Sequence, residues 1–100
     1  MEIKEGTLVV GRLQIPQQNI LGIVYEEVKQ PNRTEFKMTK EWWVLCHPIG
    51  GRGPNHSIEE RNLKALAYLS KEELKLLREG KISPAQALLA HLPEVIVQLF

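Results

Sequence analysis

Residues 49–56 (Ile49-Gly50-Gly51-Arg52-Gly53-Pro54-Asn55-His56) constrain this chain more than any other stretch. Three glycines and a proline within eight positions suit neither a helix nor a central strand. They read as a hinge loop between two parts of different character.

The part before the hinge is patterned for strands. Gly6 to Leu13 is rich in β-branched residues, Asn19 to Lys29 follows a polar loop holding Pro16, Gln17 and Gln18, and Glu41 to His47 is stopped by Pro48. Gln30-Pro31-Asn32-Arg33 is a turn signal, and Thr34 to Thr39 is a candidate fourth strand. Short turns between such segments predict an antiparallel meander or small barrel rather than βαβ units.

The part after the hinge reads as helical. Ser57-Ile58-Glu59-Glu60, Ser70-Lys71-Glu72-Glu73 and Ser83-Pro84-Ala85-Gln86 each have the form of a capping box, in which Ser and Glu or Gln satisfy free backbone N–H groups at a helix start. Pro84 would occupy the first helical position, and Gly80 stands where a C-terminal cap belongs. Helices are expected at 58–69, 71–79 and 84–92, with inner faces of Leu63, Leu66, Leu69, Leu74, Leu77, Leu88 and Leu92. From Pro93 the tail favours a fourth short helix over a strand, because Pro followed by Glu makes a good first turn. The expected fold class is α+β: a barrel or meander of three to five strands, then three or four short helices packed on it.

One hundred residues suit a single domain, here a β-rich subdomain over 1–48, the hinge over 49–56 and a helical subdomain over 57–100. The residues are 43% hydrophobic, with a formal net charge of +1, which is not the low-hydrophobicity, high-charge signature of disorder. Basic and acidic residues balance in both halves, six against six in 1–50 and seven against six in 51–100. No basic run announces a nucleic-acid binder. The single cysteine, Cys46, excludes an intramolecular disulfide. With no apolar signal core at the N-terminus and no stretch long enough to span a bilayer, a cytoplasmic location without membrane contact is expected.

Gly6-Thr7-Leu8-Val9-Val10, Leu21-Gly22-Ile23-Val24-Tyr25-Glu26-Glu27 and Trp42-Trp43-Val44-Leu45 together resemble an SH3-like small β-barrel, with a look shared by KOW-type modules of translation and transcription proteins. The resemblance spans residues 6–47 and implies a closed barrel. The chain departs from it in having few of the basic residues usual in KOW modules and no counterpart to the peptide groove of signalling SH3 domains.

Neighbours on a strand point to opposite faces. Trp42, Val44 and Cys46 would therefore share one face, and Trp43, Leu45 and His47 the other. Both faces are apolar, so both need a cover. The helical half can supply one, or a partner can, since Trp is enriched at binding hot spots. The same alternation separates Cys46 from His47, which disfavours a nucleophile–base dyad and favours a structural cysteine. Zinc would need Cys46, His47, His56 and His91 together, and no metal-binding spacing links them. Glu26 and Glu27 diverge in the same way. Gly50, Gly51, Arg52 and Gly53, leading into the Ser57 start, are a candidate anion loop, although they match neither a P-loop nor a dinucleotide fingerprint.

Nothing assembles into a catalytic constellation, and no cofactor or metal is implied. The leading expectation is a non-enzymatic binding or adaptor module working through protein contacts. It would be homodimeric through the Trp-bearing sheet or the apolar tail, with Trp43, His47, Arg52 and His56 as candidate binding residues. The alternative is a nucleic-acid-associated accessory protein using Arg12, Lys37, Lys40 and Arg52. A third reading is a small enzyme or ligand binder centred on His47, Arg52 and His56.

Overall fold

The computed structural model describes residues 2–14, 17–29, 40–46 and 55–99. Five strands come first: β1 (Thr7–Gln14), β2 (Gln17–Glu27), β3 (Glu41–Cys46), β4 (Asn55–Glu59) and β5 (Leu63–Tyr68), the last two joined by a single 3-10 turn over Glu60–Asn62. Three short helices follow: α1 (Lys71–Arg78), α2 (Pro84–Ala90) and α3 (Leu92–Leu99). The fold is α+β, an antiparallel sheet with the helices packed on it.

The sheet order is β4-β3-β2-β1-β5, with every neighbouring pair antiparallel. Alternation along the strands sorts the core into two clusters. Leu8, Ile23, Leu66 and Ala67 face the helices and are covered by Leu77, Ala87, Leu88 and Val95. Val9, Ile20, Val24, Trp42, Val44 and Ile58 form the second cluster, with Ile3 and Leu63 packed against it. Bulges between Leu8 and Val9 and between Val24 and Glu26 interrupt the ladders. Bulges add twist and bend, and β4 comes back far enough to touch β1 across the second cluster.

Both faces of the tryptophan strand are therefore used. Trp42 and Val44 lie in the second cluster, while Leu45 packs at the margin of the helix-covered one. Ser70 and Ser83 each form a complete capping box, and Gly80 ends the first helical stretch at φ +75°. The tail is helical.

Three expectations are corrected. The closed barrel is instead an open sheet: among the described residues β4 and β5 are its two edges and do not pair. The helix expected over 58–69 is strand, 3-10 turn and strand, so the helical part starts at Lys71 rather than at 57. Ser57-x-x-Glu60 has the letters of a capping box, but both side chains are spent on β3. Ser57 Oγ donates to Glu41 Oε2 (2.6 Å), and Glu60 Oε1 accepts from Trp42 Nε1 (3.1 Å). Helix propensity differs between ordinary residues by only about 0.7 kcal/mol each. Pairing β5 along β1 outweighs that by completing the ladder over Leu8 and Val9, both 0% exposed. Finally, Leu92 lies on the outer side of α3, 41% exposed, not on an inner face. The candidate strand at 34–39 falls outside the described residues.

Candidate functional site

The residues singled out from the sequence are placed as follows. Trp43 is half-buried on β3, opposite Ser57 and Glu26. His56 is half-buried on β4, opposite Val44. Directly paired residues share a face, so Trp43 stands on the helix side of the sheet and His56 on the other. The two are not brought together. His47, Gly50, Gly51, Arg52 and Gly53 lie outside the described residues, as does Lys37. Arg12 and Lys40 stand at opposite ends of β2: Arg12 is opposite Asn19, while Lys40 pairs with Glu27 at 4.0 Å.

Two clusters emerge that the sequence did not indicate. The first joins the helices. His91, at the end of α2, places Nε2 2.8 Å from Glu73 Oε2 and 3.0 Å from Oε1, with Nδ1 3.4 Å from Glu94 Oε1. The hydrogen bond from the Ser70 backbone amide, together with His91, holds the Glu73 carboxyl below its usual range despite partial burial. Burial works against charge on the His91 ring, but bonding and attraction to Glu73 and then Glu94 overcome it and raise its pKa. This is a clamp between α1 and the α2–α3 corner. Among the described residues, no group of three or more His, Cys, Asp or Glu is arranged to hold a metal.

The second is a cleft of about 330 Å³ at the open end of the β1–β5 pair, where Arg12 and Asn19 meet Arg61, Asn62 and Lys64. The missed residues, Arg61 and Lys64, fall within 58–69, where the sequence predicts a helix and the structure has a 3-10 turn and a strand.

The helices also leave large apolar side chains uncovered. Leu89 is 65% exposed, Ile96 45% and Val97 73%, in addition to Leu92. On α3 the i, i+4 pairs Leu92/Ile96 and Pro93/Val97 form adjacent ridges; the Pro93/Val97 ridge lies opposite Val95, which is 1% exposed, and Leu92 and Ile96 stand between them, each partly exposed. No helix among the described residues is long and apolar enough to cross a membrane. Compared with known protein families, curated proteins and solved structures, the chain matches none.

Proposed function

We propose that this chain is a non-catalytic binding module built on an open five-stranded antiparallel sheet, and that it docks a second copy of itself through the outer face of α2 and α3. The observation that carries the reading is the exposure of Leu89, Leu92, Ile96 and Val97, while the other large apolar side chains among the described residues are covered or half-covered. Apolar surface of this kind gathered on two adjoining helices marks an interaction site more often than a chance exposure. The charge pattern favours self-association. Residues 83–99 contain no Lys or Arg and a single acid, Glu94. Two such faces meet with little like-charge repulsion, whereas a strongly charged partner finds little to hold.

Sedimentation velocity on the wild-type chain and on Val97→Glu tests this. A dimer at micromolar concentration, lost in Val97→Glu while the helical circular dichroism is retained, supports the reading. A wild-type monomer throughout the micromolar range, or a dimer indifferent to Val97→Glu, overturns it.

A further inference from the structure

We infer that the cleft lined by Arg12, Asn19, Arg61, Asn62 and Lys64 is a phosphate-binding site. Its origin lies in the rows of side chains on the helix-covered face of the sheet. On β1 the row runs Leu8, Val10, Arg12; on β2 it runs Ile23, Leu21, Asn19; on β5 Leu66 gives way to Lys64. The register sets Val10 opposite both Leu21 and Lys64, and Arg12 opposite Asn19. Each row is therefore apolar beneath the helices and turns polar at the same end. The 3-10 turn adds Arg61 and Asn62 to that end.

Gly11 helps to shape the cleft from the reverse face of β1. A Cβ there would stand 2.8 Å from Leu63 Cδ2 and 3.5 Å from the Asn62 carbonyl oxygen. Its absence lets Leu63 close onto β1, and the turn carrying Arg61 and Asn62 comes with it.

The chemistry of the lining selects the ligand. Three cations and two carboxamides border the space, and among the described residues no carboxylate lines it. Glu59 holds Arg61 from one side, with Oε2 2.9 Å from Nε. Arg12 Nη2 donates to Gln17 Oε1 at 3.4 Å, a weak bond that an anion can displace. Guanidinium- and ammonium-bearing side chains bordering one open space suit the oxygens of a phosphate. Among the described residues no aromatic side chain lines the cleft to offer a nucleobase a stacking platform. The group recognised is phosphate itself, on a free phosphorylated compound or on a nucleic-acid backbone.

Titration of the full chain with pyrophosphate and, separately, with a short oligothymidylate, followed by amide chemical shifts at about 50 mM salt, tests the inference. Saturable shifts are expected at residues 11–12, 19 and 61–64. The double variant Arg12→Gln/Lys64→Gln should bind at least about fivefold more weakly, as loss of two phosphate contacts requires. Lys71→Gln/Lys75→Gln, which removes two cations from α1, should bind like wild type. Similar affinities for the two probes identify a free phosphate compound as the source. Tighter oligothymidylate binding with a steeper salt dependence identifies a strand. If neither probe saturates, or if Arg12→Gln/Lys64→Gln binds unchanged, the inference is overturned.

Discussion

Arg78 donates from Nη2 to the carbonyl oxygen of Tyr25 at 2.8 Å, and Tyr25 is the residue that the bulge leaves out of the β2–β3 ladder. The same guanidinium lies 4.6 Å from the centre of the Tyr25 ring and 2.6 Å from Glu5 Oε1. One side chain at the end of α1 thus takes up the carbonyl that the bulge sets free and ties the helix to both β2 and the N-terminal segment. Because Arg78 and Glu5 are both partly exposed, the ion pair alone contributes little. The bond to the carbonyl and the stacking carry the contact. Arg78→Ala should cost roughly 1–2 kcal/mol in a urea melt. Arg78→Lys should recover only part of it, since an ammonium cannot stack and bridge in the same way. Equal stability of Ala and Lys variants would show that the guanidinium shape is irrelevant.

His91 and Glu73 predict a pH dependence with opposite limits. The His91 pKa is raised above its ordinary value near 6.5, so its stabilisation is full below that value and is lost as pH rises through the folded-state pKa. The Glu73 pKa is lowered from near 4.5, so its stabilisation is present above that value and is lost as pH falls through the depressed one. The clamp is complete between the two ordinary values and weakens as pH moves out of that window on either side. In His91→Gln the decline in stability from pH 6 to pH 8 should flatten. Urea midpoints for both proteins across that interval check this, and parallel profiles would remove His91 as the titrating group.

Gly80 closes α1 with its own N–H bonded to the Leu77 carbonyl (3.1 Å) and that of Lys81 bonded to the Leu76 carbonyl (2.9 Å). A Cβ at Gly80 would meet nothing within 4 Å, so substitution there tests backbone conformation alone. With φ at +75°, Gly80→Ala should lower stability by about 1 kcal/mol, and Gly80→Asn by less. In a domain of this size the Ala variant should melt roughly 4–8 °C below wild type. No change in melting temperature would argue against the left-handed cap.

What the sequence discloses here depends on how far apart the cooperating residues are. The caps at Ser70 and Ser83 are built within four residues, and both were legible. So were β1, β2 and β3, whose apolar alternation is local. The segment from Ser57 to Tyr68 was misread because its bonding partners lie far along the chain: Glu41 and Trp42 for Ser57 and Glu60, and β1 for β5. The same distance hid the cationic cleft, since only the β1–β5 register brings Arg12 near Lys64 and Arg61. Charges balanced along the sequence are sorted in space by strand pairing, which no count of residues reveals.

The Trp42–Glu60 bond offers the sharpest test of that misread segment. Trp42 is 6% exposed, stacked among Val44, Ile58 and their neighbours, and its one polar atom is satisfied by Glu60. A buried donor deprived of its acceptor costs about 1–3 kcal/mol. Glu60→Ala should therefore lower stability by an amount within that range and change the emission of the buried indole. Glu60→Gln keeps a carbonyl oxygen in reach and should stay close to wild type in both. A helix over 58–69 would give another result: Ser57 would be its cap, so Ser57→Ala would cost about 1 kcal/mol in helix stability. In the observed fold Ser57→Ala removes only an exposed cross-strand bond to Glu41, and it should cost less than Ser70→Ala, whose hydroxyl caps a real helix.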